Sequence, residues 1–251
     1  MLRGRFGDPL VTPLRWAVIT AAVAGAALGS KILFWFEDPQ LSWRSLHDPT
    51  YLIGGKTIVG ALAFGLLTVE LVKRYIGIRD STGDLYAIPL AVGIAVGRIG
   101  CFLTALSDNT YGIPTKLPWA VNFGDGIPRH PTQLYEVVFL LIEIPLLYKI
   151  LRTITLGGES PQPMWGTSTV QSGEVRQQML MPATRFLRGD AFKFFMAAYI
   201  SFRLFCDFIK PYPRIFLGLG GIQWACVALL LYYSPDITHW LRESSSRSQQ
   251  A

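Results

Sequence analysis

Two arginines stand inside apolar runs of this 251-residue chain. Arg98 closes the run Tyr86–Val96 in the stretch Val96-Gly97-Arg98-Ile99-Gly100-Cys101-Phe102, and Arg203 lies in the run that begins at Phe192, four residues before Asp207. A guanidinium stays charged at any working pH and forks onto two oxygens of a phosphate at once. Held at the centre of a membrane helix it costs roughly 2.5–3.5 kcal/mol, so such a charge has either a partner or a task. One reading makes Arg98 and Arg203 anion-binding groups. The other has them snorkel to the interface or pair with an acid, and Asp207 shares a helix face with Arg203. Gly97 and Gly100 flank Arg98 and allow a backbone or a lipid headgroup to approach closely. About thirty residues on, Pro128-Arg129-His130-Pro131-Thr132-Gln133-Leu134-Tyr135-Glu136 opens the next apolar run. His130, beside Arg129, is a candidate acid–base group or headgroup donor, or a histidine hydrogen-bonded within its loop. Thr132 stands where a helix N-cap is wanted, with Glu136 in the first turn. Cys101 is a candidate reactive thiol, because a neighbouring positive charge favours thiolate.

The elements that position these groups are membrane helices. Mean hydropathy is +0.34 and 16% of residues are charged, too apolar a balance for an ordinary soluble domain. Six apolar runs approach the length that spans a bilayer, at about 14–36, 51–72, 86–106, 134–155, 190–209 and 215–233. The net charge of +6 follows the positive-inside rule and calls for no nucleic acid. Thirteen Lys and Arg fall in the N-terminal arm, the second and fourth loops and the tail, against five on the opposite side. That asymmetry predicts both termini in the cytoplasm, which an even number of spans also requires. The expected fold is all-α: a polytopic integral membrane helix bundle of about six transmembrane helices. A basic arm before the first run raises a cleaved signal peptide, but the aromatic end Phe34-Trp35-Phe36 suits a retained span. One membrane domain over 1–243 is expected, with a flexible cytoplasmic linker at 156–184, rich in Gly, Ser, Gln and Pro, and a disordered tail at 244–251. Cys101, Cys206 and Cys226 have no metal-site spacing, and Walker, Rossmann and zinc patterns are absent, so neither metal nor cofactor is expected. Gly54-Gly55 and Gly60-Ala61 fit either close helix packing or a lipid site.

GRIGCF at 97–102 and PRHPTQLYE at 128–136 resemble the prolipoprotein diacylglyceryl transferase family, whose pattern is GR-(I/L)-GNF followed by RHPSQLYE. Leu117-Pro118-Trp119-Ala120-Val121, the Arg203 to Pro211 segment and Gly221-Ile222-Gln223 extend the likeness from about residue 25 to 233. The resemblance implies a bacterial inner-membrane, multi-pass enzyme of lipoprotein biosynthesis that uses no cofactor. Its partners would be the membrane, an anionic phospholipid (phosphatidylglycerol) and a lipoprotein precursor. The reaction it implies moves a diacylglyceryl unit onto a cysteine thiol, with glycerol phosphate leaving. By the same resemblance Arg98, Arg203 and His130 are the candidate catalytic residues, and Arg98, Gly97, Gly100, Arg129, Gln133, Tyr135 and Asp207 the candidate lipid-binding ones. The chain departs from the family pattern at the general-base histidine, which is Val59 here, and at the asparagine of GNF, which is Cys101. The family's glutamate falls near Leu106, and its first helix has no counterpart among the six runs. A second reading is therefore a catalytically silent member that binds anionic lipid or lipoprotein. A third, an unrelated anion transporter, has neither an internal repeat nor an account of PRHPTQLYE in its favour.

Overall fold

The computed structural model describes residues 12–78, 81–157 and 186–248. Six long helices lie over the six apolar runs: α1 (Thr12–Glu37), α4 (Ile58–Tyr75), α5 (Asp84–Leu103), α6 (Thr132–Gly157), α7 (Asp190–Cys206) and α8 (Gly221–Ser248). Two short helices, α2 (Pro39–Arg44) and α3 (Pro49–Ile53), join α1 to α4. Each is started by an aspartate, Asp38 or Asp48, whose carboxylate accepts from a backbone N–H of the first turn, with proline inside that turn. Between α5 and α6 the chain forms a 3₁₀ turn (Ala105–Asp108) and a hairpin of β1 (Val121–Asn122) and β2 (Pro128–Arg129). Among the described residues, α1 over Leu14–Glu37 and α5 over Asp84–Leu103 are long and apolar enough to cross a membrane.

α1 lies along α4, and small residues set how closely. A Cβ on Gly29 would collide with the carbonyl of Gly60, and a Cβ on Gly60 with the carbonyl of Gly29. Of the two readings of the glycine-rich segment, the contacts around Gly60 are those of close helix packing. Gly54 and Gly55 are held otherwise: the Lys31 ammonium donates to the carbonyls of Ile53, Gly54 and, at 2.9 Å, Gly55. Gly55 takes a positive φ of 45° against the Phe34 ring, a conformation that favours glycine.

α5, α6, α7 and α8 enclose the main core of Leu140, Leu147, Phe195, Tyr199, Ile200 and Cys226. Ala87, Ala91, Ala95 and Arg98 make one buried face of α5, so an alanine stripe brings α6 and α7 close and delivers the arginine to the end of that seam. Asp84 anchors the other end of α5 to α7. Its two carboxylate oxygens accept from the backbone N–H of Gly189 at 2.6 Å and of Phe192 at 3.1 Å, which supplies α7 with an N-terminal cap from a neighbouring helix.

One expectation about segments changes, and another falls almost wholly outside the described residues. α8 continues to Ser248, so the backbone of 244–248 is helical where the composition predicts a disordered tail; residues 249–251 lie outside the described residues. α6 runs to Gly157 through the start of the expected linker, and 158–184 lie outside the described residues.

Candidate active site

The site grows from where α5, α6 and α7 converge. Arg98 on the last turns of α5 and Arg203 on the last turn of α7 are only 5% and 4% exposed, and both point at Glu136, in the second turn of α6. Glu136 is completely buried; its Oε1 lies 2.8 Å from Arg98 Nε, and its Oε2 lies 3.8 Å from Arg203 Nη1. The hydroxyl of Tyr199, one turn before Arg203 on α7, donates to Glu136 Oε1 at 2.6 Å. Asp207 forms an ion pair with the other side of Arg203, with 3.2 Å between Oδ1 and Nη2. Two guanidiniums thus share one carboxylate, and a second carboxylate serves one of them. The two carboxylates balance the two guanidiniums in formal charge, but the pairs are not all aligned as hydrogen bonds. Arg98 Nε, Arg203 Nη1 and Gln223 Nε2 have no aligned hydrogen-bond acceptor among the described residues, and Glu136 Oε2 and Asp207 Oδ1 have no aligned donor. Gln133, 1% exposed, has a partner for neither its amide nitrogen nor its carbonyl oxygen among them. Buried polar atoms left unmatched in this way are costly.

The structure sorts the residues picked out by sequence. Arg98, Arg203, Asp207 and Gln133 are buried where α5, α6 and α7 meet or just beyond the end of α7. Cys101 belongs with them through its Sγ, 3.9 Å from Arg98 Nη1. Gly97 and Gly100 sit on the outward face of α5, and a Cβ on either would meet nothing within 4 Å among the described residues, so these leave the flank of Arg98 open. Arg129 is engaged elsewhere: it pairs with Asp125 at 2.6 Å and its guanidinium lies 4.8 Å from the centre of the Tyr111 ring. That hydrogen bond holds the exposed Asp125 carboxyl below the usual carboxylate range. His130 Nδ1 lies 3.1 Å from the Tyr135 hydroxyl, which in turn accepts from Trp119 Nε1 at 2.8 Å, so these three form a chain under the hairpin. Thr132 does not cap α6; its hydroxyl donates to the carbonyl of Thr110 at 2.6 Å and ties the helix start to the loop that follows α5.

Four residues of the cluster escape a reading of residue types along the chain. Glu136 passes for a first-turn acid, although its central place follows from being brought opposite both arginines. Tyr199 carries a signal, since it precedes Arg203 by four residues and so shares its face. Gln223 lies at the start of α8, where Oε1 accepts from Gly220 N at 2.9 Å and from Arg214. Lys210, 2% exposed, follows a 3₁₀ turn at Asp207–Ile209. Val59, where the family pattern has histidine, is 1% exposed and packed in the apolar core.

Comparison with known proteins agrees with this picture. Residues 5–163 match the family model described as prolipoprotein diacylglyceryl transferase. A relative from Vibrio parahaemolyticus, named phosphatidylglycerol–prolipoprotein diacylglyceryl transferase, is 29% identical over 219 residues, covering 84% of this chain and 65% of the relative. Relatives of the same name from Bordetella parapertussis and Geobacter sulfurreducens are 29% identical over 85% of this chain and 73% of theirs, and 35% identical over 55% and 52%. The chain thus spans just under two thirds of the Vibrio protein's length. No solved structure matches. With a family model matched over more than half of its length, this chain belongs to the prolipoprotein diacylglyceryl transferase family.

Proposed function

We propose that this protein moves the diacylglyceryl group of an anionic phospholipid, phosphatidylglycerol in the first instance, onto the cysteine thiol of a lipoprotein precursor. The observation that carries the proposal is the buried Arg98–Glu136–Arg203–Asp207 cluster, which holds the N–H donors of two guanidiniums together beside the open flank of α5. Those donors suit the lipid phosphate, and they suit it better as the phosphate becomes a leaving group and gains charge. Interactions that strengthen along the reaction lower its barrier. Arg98 and Arg203 would act on the phosphate, with Gln133 and Asp207 shaping the site around them. The open flank at Gly97 and Gly100 would admit the lipid beside Arg98. His130, Tyr135 and Arg129 would order the loop above it. Cys101, close to Arg98, is a thiol available for modification by electrophiles.

In this reading the six long helices are six spans of one membrane domain, with both termini in the cytoplasm, in the bacterial cytoplasmic membrane. The count of Lys and Arg on alternate loops supports that arrangement. Protein in vesicles containing labelled phosphatidylglycerol, given a peptide with a lipobox cysteine, is expected to yield labelled thioether peptide, and Arg98→Ala to yield none. One observation favours a second reading: Val59 in the apolar core carries no proton-accepting group, so a silent member would bind phosphatidylglycerol through Arg98 without making product.

A further inference from the structure

The cluster contains a cation of a different kind from its arginines. Lys210 is 2% exposed, yet its ammonium has neither an ion pair nor a hydrogen bond among the described residues. Its nearest ring, that of Tyr212, has its centre 5.7 Å away. Other lysines are treated differently: Lys73 pairs with Glu70 at 3.0 Å, Lys193 with Asp236 at 2.6 Å, and Lys31 is held by carbonyls. The charged and titratable groups facing Lys210 come from four elements and the segment beyond them. They are Arg203 and Cys206 of α7, Arg98 of α5, Glu136 of α6, Glu37 of α1, and Tyr212. Both arginines hold their protons at any working pH. A desolvated ammonium pressed by two guanidiniums is therefore the cation of the three that yields its proton. Burial first, then Arg203 and Arg98, bring its pKa down to about 7.

We propose that Lys210, as a neutral amine, is the proton acceptor for the incoming cysteine thiol. Of the other bases nearby, Glu136 is committed to Arg98 and Tyr199, Asp207 to Arg203, and His130 Nδ1 to the Tyr135 hydroxyl, while Glu37, whose Oε1 has no hydrogen-bond partner among the described residues, is the rival acceptor. In the step, the thiol S–H bond breaks and its proton goes to Lys210 Nζ. The sulfur forms a bond to the glyceryl methylene carbon, and that carbon's bond to the phosphate oxygen breaks. The electron pair leaves on glycerol phosphate, whose new charge faces Arg98 and Arg203, and the ammonium then returns its proton to the phosphate. Nothing is oxidised or reduced. The inference rests on the transferase reading and makes its rate rise as pH rises through about 7, where the amine loses its proton.

The test has two parts. In protein carrying ¹³Cε-labelled lysine in nanodiscs, one resonance absent from Lys210→Arg is expected to titrate near neutrality; a midpoint in the ordinary lysine range near 10 overturns the proposal. In the transfer assay, Lys210→Arg keeps the charge but not the base. It is expected to lose ~10²–10⁴-fold in kcat, with KM for the lipid unchanged and the rise through neutral pH gone. Wild-type product undiminished in Lys210→Arg sinks the role of Lys210 alone, whereas a wild type that makes no product sinks the transferase reading and this role with it.

Discussion

Glu136 and Arg98 meet at 2.8 Å at the end of the alanine seam between α5 and α6, with the carboxylate wholly buried. The same carboxylate faces Arg203, so it is the single acid set between two inward-facing guanidiniums. Glu136→Gln keeps the shape and removes the charge, leaving Arg98 without its only ion-pair partner among the described residues. Breaking a buried pair from one side costs about 3–5 kcal/mol. Thermal unfolding in detergent is expected to show a lowered Tm, with Arg98→Met recovering part of the loss because the surplus cation goes too.

Tyr199 gives a smaller and more local effect. Its hydroxyl donates to Glu136 Oε1 at 2.6 Å in the dry interior, and a hydrogen bond to a charged group is worth about 1.5–3 kcal/mol. Tyr199→Phe is expected to lower stability by that amount. Combined with Glu136→Gln it should cost less than the two separate losses added together, which a double-mutant cycle on Tm measures.

Helix contact between α1 and α4 predicts a defect far from the chemistry. Gly60→Ala places a methyl on the carbonyl of Gly29, and overpacking of this kind costs typically about 1–3 kcal/mol. Gly97→Ala, with nothing among the described residues within 4 Å of its new methyl, is expected to raise Tm slightly, since alanine favours a helix interior over glycine by about 0.5–1 kcal/mol, and a thermal scan of the pair tests both statements.

The hairpin responds to acid. Asp125 has its folded pKa held below the ordinary value by the hydrogen bond from Arg129, at 2.7 Å. Its contribution is complete above the unfolded carboxylate pKa of about 3.9 and is lost as pH falls through the lower folded value. The amide of Ile127 donates to Asp125 Oδ1 at 3.1 Å and reports this directly. Hydrogen exchange is expected to find it protected at neutral pH and exposed only below about pH 4. Asp125→Asn should remove that pH dependence.

Much of the architecture is legible in the sequence, for identifiable reasons. Long apolar runs place all six long helices, because burial and chain length alone set where such helices lie. The two buried arginines announce themselves by cost. What a linear reading misses depends on pairing across helices. Glu136 has an ordinary local explanation at a helix start, and only the approach of α5 and α7 makes it the shared partner of both arginines. Arg129 errs the other way: it stands next to His130 in the motif, but the hairpin turns it toward Asp125. Lys210 sits just past the end of a run among prolines, where a lysine ordinarily faces water, yet it is 2% exposed.

Lys31 has a mechanical consequence. By gripping the carbonyls of Ile53, Gly54 and Gly55, it fastens the foot of α4 to α1 across the two short helices that connect them. α1, α2 and α3 are thereby tied into one unit, so that a tilt of α1 is passed to α2 and α3 instead of being absorbed at the Gly54-Gly55 joint. Lys31→Met would cut that linkage and leave the doublet as a hinge, turning a stiff strut into two pieces that swing independently.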